Sequence, residues 1–309
     1  PNPPVNSLNF LLQSYGLPTL TLVTTGTDIS PDTFVDMIDA INYIAQHQGT
    51  TITEIQVDPT IGTPTGLIGL ESPNLYKAVI ASNIALISAN RLNTALRESI
   101  TTEVTTNSEL WYHNLVFTHV ITFNSGDEAK YFFNTGGQIS INFEHPTESG
   151  VNSLWNQLAT ACGKIYISST NDPRQIRIEG TRFNGVTKIN GSGTPTTLSA
   201  NHGYYALTVN DTEIFKQFAT VGNLDYLQSN IAVKVKSNGT RGSRNDAGNI
   251  ITVTTTFTQV PMATLVAGGY AIPGTTVTAT ALAPYGINAQ NTWGTPTVEG
   301  MVQPDLNVS

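Results

Sequence analysis

Apolar residues recur at helical spacing in the first third of the chain, and from about residue 101 they recur at every second position instead. In the helical part, Phe34, Met37, Ile38, Ile41, Ile44 and Ala45 form one stripe. Ser30 suits the N-cap of that helix, Pro31 its first position and Asp32 its dipole, and Gly49 can end it. A second Ser-Pro start at Ser72 and Pro73 opens a longer run, expected to continue to Ile100. Its apolar residues Leu75, Val79, Ile80, Ile84, Ile87, Leu92, Ala95 and Leu96 cover more than one face, so more than one neighbour is expected to bury it: the first helix, or other copies of the chain. No heptad is sustained, which argues against a coiled coil.

In the alternating part, Leu115, Phe117, His119, Ile121 and Phe123 interleave with Val116, Thr118, Val120 and Thr122, the pattern of a strand with one apolar face. Further strands are expected at 138–143, 164–168, 174–179, 204–208, 230–237, 250–259 and 275–282, with short helices at 151–161 and 211–218. The fold class is therefore α+β: a helical N-terminal segment, residues 1–105, followed by a β-rich antiparallel sheet or sandwich domain with short inserted helices, residues 106–283. Residues 284–309, rich in Gly, Pro and Asn, read as an extended C-terminal arm.

The stretch FNSGDEAKYFFNTGGQISINF, residues 123–143, gathers acids, a lysine, aromatics and two glycines. Ser125 and Glu128 stand at capping-box spacing, which places Asp127 and Glu128 in the first turn of a helix. Ala129, Phe132 and Phe133 supply its inward face, and Gly136 with Gly137 stops it and feeds a strand. Each unusual residue thereby acquires a structural role.

Composition narrows the function. Of 309 residues, 39% are hydrophobic but only 12% are charged, so the surface is built largely from Thr, Asn, Ser, Gln and Gly. Such groups are less costly to bury in protein contacts than charges, which points towards assembly. A net charge of -8 with scattered basic residues argues against nucleic-acid binding. No apolar run is long enough for membrane insertion, and the start PNPPVNSLNFLL lacks the basic end and cleavage pattern of a secretory leader. The single cysteine, Cys162, excludes an internal disulfide and reads as a small buried hydrophobe.

The five histidines, His47, His113, His119, His145 and His202, lack zinc spacing, and His119 reads as a core or interface histidine. No GxSxG or Walker motif occurs. Asn245, Asp246 and Asn249 in the 243–249 loop offer oxygens of the kind Ca2+ uses, against the plainer reading of a polar hairpin connection. The 190–197 loop, NGSGTPTT, reads as a flexible connection. Tyr204, Tyr205, Tyr285 and Trp293 are candidates for stacking on sugars, with core packing the plainer reading for the first two. A glycan-degrading enzyme would need two carboxylates facing one cleft, and no spacing along the chain singles out such a pair.

The run WYHNLVFTHVITFNSGDEAKYFFNTGGQISINF resembles a stretch found in virion structural proteins of tailed bacteriophages, of the T4-like and cyanophage types. The matching positions include Trp111, Phe123, Ser125, Glu128, Ala129, Tyr131, Phe132, Phe133, Asn134, Gly136 and Gly137. Weaker agreement follows at LWNQL around Trp155, at GYYALTVNDTEIF from Gly203 and at NIAVKVKSNGT, and the segment 171–197 departs as an insertion. The resemblance implies a non-enzymatic tail, neck or fibre component without cofactors or catalytic residues. It would assemble in the bacterial host cytoplasm with copies of itself, as a trimer or ring, and with other virion proteins. The alternative is a receptor- or carbohydrate-binding module on the virion surface. Trp111, Ser125, Glu128, Phe132, Phe133, Gly136 and Gly137 are the structural signature of this resemblance.

Overall fold

A computed structural model describes residues 8–9, 12, 20, 31–48, 50–53, 72–91, 97–111, 113–134, 136–147, 151–169, 177–178, 181–182, 185–219, 228–241, 246–260, 273–284 and 295–305. Two helices come first, α1 (Pro31–Gln48) and α2 (Ser72–Arg91). Strands β1 (Arg97–Thr106) and β2 (Asn114–Thr122) lead to helix α3 (Gly126–Asn134) and strand β3 (Gln138–Glu144). Helix α4 (Val151–Cys162) precedes β4 (Lys164–Ile167), β5 (Arg177–Ile178), β6 (Thr181–Arg182), β7 (Val186–Ile189) and β8 (Thr197–Leu198). The last strands are β9 (Thr212–Phe218), β10 (Asn230–Ser237), β11 (Ile250–Thr258), β12 (Thr276–Pro284) and β13 (Thr297–Pro304).

Eleven of these strands build two sheets, in which every pairing is antiparallel: β1-β12-β3-β4-β7 and β13-β2-β11-β10-β9-β8. Strands β5 and β6 form a separate two-stranded ladder. The inward residues of both sheets join one buried cluster, as in a sandwich. Phe143 of β3 stacks on Phe215 of β9 at 6.3 Å and meets Phe257 of β11 edge-on at 6.4 Å. The inserted helices add aromatics to the same cluster. Trp155 of α4 lies 5.0 Å from Trp111 and 5.7 Å from Phe257, while Phe133 of α3 stacks on Tyr204 at 4.5 Å.

The helical segment has a smaller core of its own, built on Ile38, Ile41, Ile44, Ile80 and Ile87. Two asparagines brace it by binding a backbone as a strand would. Asn83 is fully buried, donates to the Thr53 carbonyl at 2.8 Å and accepts the Thr53 N–H at 3.2 Å. Asn9 holds Leu20 in the same way. On α2, the opposite side leaves Ala78, Ala81, Ala85 and Leu86 exposed, so α1 covers only part of its apolar surface.

Several elements differ from the sequence reading. Helix α2 ends at Arg91, and residues 97–106 pair as β1 with β12, so this part of the 1–105 segment belongs to the sandwich. Residues 212–218 form a strand because pairing with β10 outweighs the helix-like start at Asp211. A bulge opposite Val233 and Lys234 lets Ile214 and Phe215 both point inward, which breaks the alternation that would have revealed a strand. Tyr204–Ala206 is a single 3-10 turn instead of a strand. In the supposed C-terminal arm, residues 297–304 are the edge strand β13, paired along its length with β2.

Candidate functional site

The signature residues are buried or engaged in holding a helix. The Glu128 N–H donates to Ser125 Oγ at 3.1 Å. The Glu128 carboxylate reaches one residue further back than a standard capping box, accepting the Asn124 N–H at 3.3 Å and its side-chain amide at 3.0 Å. Asp127 pairs with the nearly buried Lys130 at 2.6 Å. Trp111, Phe132 and Phe133 are fully buried. Gly136, with φ of 94°, and Gly137 donate back to the carbonyls of Phe133 and Phe132, and a side chain on Gly137 would strike Phe132. Replacing Glu128 with Ala is expected to lower stability by about 1 kcal/mol, read from a urea titration, and to leave every binding property of the folded chain intact.

His119 is the histidine with the most unusual surroundings. It lies inside the sandwich with no exposed surface, its Nε2 3.1 Å from Thr105 Oγ1. Burial pushes its pKa down to about 4, offset slightly by the Val277 backbone. The unfolded chain, with a histidine near 6.5, therefore takes up this proton first as pH falls. Stability is complete above pH 6.5 and declines towards pH 4, by about 3 kcal/mol in all. Urea midpoints at pH 7 and pH 4.5 should show a smaller acid loss for His119→Gln than for the wild type.

The other described histidines have surroundings of their own. His145 Nδ1 lies 2.8 Å from Thr275 Oγ1, His202 is half-buried with its pKa lowered by burial, and His113 is exposed. The side chain of His47 lies outside the described residues. Among the described residues, no three His, Cys, Asp or Glu side chains are placed to hold a metal ion.

In the 243–249 loop, the oxygens of the described residues turn towards the protein. Asp246 Oδ1 accepts the Gly248 N–H at 3.0 Å and Asn249 Oδ1 accepts from Asn238 at 2.9 Å, while Asn245 lies outside the described residues. The Tyr204 hydroxyl, itself held inside the core, donates to the Gly248 carbonyl at 3.0 Å and accepts the Ala247 N–H at 3.1 Å. Tyr204 is thus a tie between the loop and the core, and burial raises its pKa. Tyr205 packs partly buried under Arg241, and Tyr285 and Trp293 lie outside the described residues.

Cys162 is fully buried and its thiol is pushed up to about 12 by burial, only partly opposed by the charge of Lys188. That lysine was not singled out by sequence. Its Nζ donates to the Ser192 and Gly193 carbonyls at 3.1 and 3.0 Å and to Gln217 Oε1 at 2.8 Å, so the 190–197 loop is anchored rather than loose. Between this loop and α4 lies a cleft of about 320 Å³, lined among the described residues by Leu154, Gln157, Thr160, Ser192 and Ala219 and carrying no acid or base.

The outer face of the six-stranded sheet is partly exposed and regularly patterned. Along β11, Thr252, Thr254, Thr256 and Thr258 all point outward, and β2 adds Val116, Thr118, Val120 and Thr122. Register aligns Lys236, Thr252, Val120 and Glu299 in one row across four strands, and Lys234, Thr254, Thr118 and Met301 in the next. Hydroxyls and methyls fill the β11–β2 pair, and charges stand on either side of it, Lys234 and Lys236 on β10 with Glu213 and Lys216 on β9 beyond, and Glu299 on the edge strand β13. The pattern TVTTTFT held this signal, since the outward residues follow once the inward ones are assigned. The other sheet presents hydroxyl pairs between β1 and β12, Thr102 with Thr280 at 3.3 Å and Thr106 with Thr276 at 3.0 Å.

Fold and surface together define an α+β protein with a sandwich-like β domain, whose described outer surfaces are rich in threonine. Comparison with protein-family models, with curated proteins and with solved structures finds no match to the chain. No helix among the described residues is long and apolar enough to cross a membrane.

Proposed function

We propose that the chain is a non-enzymatic structural component of a tailed-bacteriophage virion, in the tail, neck or a fibre, that assembles through repeated protein contacts. The observation that carries this reading is the use made of residues 123–143. The acids of that stretch cap or pair within one helix, and its aromatics fill the core, so the resemblance to virion proteins rests on residues that serve the fold. A pair of adjacent strands faced with threonine and valine, with charges on the strands to either side, suits burial against further protein copies. The hydroxyl- and amide-lined cleft beside α4 supports the alternative, a receptor- or glycan-binding module displayed on the same particle.

Mass spectrometry of density-banded particles from the virus that carries this sequence tests the main reading. The chain is expected in the particles at many copies, and immunogold labelling should place it on the tail or neck. Its absence from banded particles, with abundant chain left in the lysate, would overturn the proposal.

A further inference from the structure

The geometry points to the outer face of the six-stranded sheet as a self-complementary interface, pairing two copies of the chain about a two-fold axis parallel to the strands. This deepens the assembly reading above and rests on it for its setting.

The first support is the position of the charges. Lys236 on β10 and Glu299 on β13 belong to one row, separated by Thr252 and Val120. With strands about 4.8 Å apart, the two charges stand about 14 Å apart, on opposite sides of the line between β11 and β2. A two-fold rotation about that line turns the row over onto itself. It lays Lys236 of each copy against Glu299 of the other, with Val120 over Thr252 between them. Both ends of the row are satisfied by one operation, which is the condition for a closed, isologous pair.

The second support is what the face lacks at its centre. Two chains of net charge -8 repel one another, so a shared face must be free of unmatched acids. The middle of this face holds only Thr118, Val120, Thr252, Thr254 and their like, partly exposed in the single chain. Met301 at its rim is 63% exposed, and in the paired arrangement it lies beside the stem of the other copy's Lys234. Lys236 also lies 3.4 Å from Asp211, but both side chains remain well exposed, so the ammonium keeps donors for a second acid.

Four strands and four rows cover about 500 Å² per copy, or about 1,000 Å² for the pair, at the lower end of stable interfaces. A dimer with a micromolar dissociation constant follows.

Sedimentation equilibrium of the full chain and of three variants tests the pairing. The wild type should dimerise. Glu299→Lys and Lys236→Glu should each weaken self-association at least tenfold while both stay folded by circular dichroism, Lys236→Glu with a slightly lower thermal midpoint because it sets an acid beside Asp211. Mixing these two variants should restore a dimer of near wild-type affinity, because one contact then reads Lys against Glu in reversed order and the other is native. Thr118→Arg, beside the axis, should abolish pairing. A wild type that stays monomeric at 200 times the expected micromolar range, or association that survives both Glu299→Lys and Thr118→Arg, would overturn the proposal. A monomeric chain that is nonetheless present in particles would sink the pairing and leave the virion reading standing; a dimer absent from particles would do the reverse.

Discussion

Replacing Gly163 with alanine is expected to destabilise the β domain by about 4 kcal/mol or more, enough to leave little soluble folded protein. Gly163 follows the last residue of α4 with φ of +64°, a conformation that costs an ordinary residue about 1 kcal/mol. The larger effect comes from space. A Cβ there would collide with the Asn190 carbonyl oxygen. That oxygen is backbone, in the turn after β7, and cannot swing away as a side chain could. Strands β4 and β7 are paired immediately beside it, Lys164 with Ile189, so relief would require opening the ladder. Gly193→Ala provides the control. It also has a positive φ, but its nearest neighbour would be the Gln217 side-chain amide at 3.4 Å, and a loss of about 1 kcal/mol is expected. Soluble yield and urea midpoints of the two variants separate crowding from backbone conformation; equal losses would show that crowding has no part.

Replacing Trp155 with alanine is expected to cost about 4 kcal/mol, the range for removing a large buried aromatic. For a domain of this size that lowers the thermal midpoint by roughly 10 °C or more. Trp155 has no exposed surface and lies against Trp111 and Phe257, so it joins α4 to the sheet core. Its Nε1 donates to Gln259 Oε1 at 3.2 Å. Trp155→Phe keeps most of the packing and loses the donor, and about 1 to 2 kcal/mol is expected for it. Differential scanning calorimetry decides: a drop below 3 °C for the alanine variant would mean that α4 is not held by the core.

These two sites illustrate different degrees of legibility. Trp155 could be read as an inward residue of an amphipathic helix, because Leu154, Leu158 and Ala159 share its face within one continuous segment. Gly163 could be read only as a helix stop. Its real constraint is a turn 27 residues later in the chain, and no local pattern carries that distance. The same contrast separates β2, whose alternation is unbroken, from β9, whose bulge hides the strand behind two adjacent inward residues. In strand β13, Gly300 and Pro304 dilute the alternation so that the sequence reads as an arm, yet its place is fixed by pairing with β2.

The candidate surface was legible in part. Threonines at alternate positions of β11 imply an outward hydroxyl row, but the match of Lys236 with Glu299 depends on the register of three ladders. Lys188 is a similar case. Nothing in VTKING suggests that its ammonium is surrounded by the loop that follows and by Gln217 from another strand.

By itself the sequence determined the α+β class, the helix from Gly126 to Asn134 with its caps, and the inward faces of the regular strands, because periodicity and capping are properties of adjacent residues. Tertiary structure alone decided which strands are neighbours, that His119 would meet Thr105 of the opposite sheet, and that the charges of one face would fall into matching rows. Those facts depend on the pairing of segments far apart in the chain, where the energy of burial chooses among registers that local preference leaves equal.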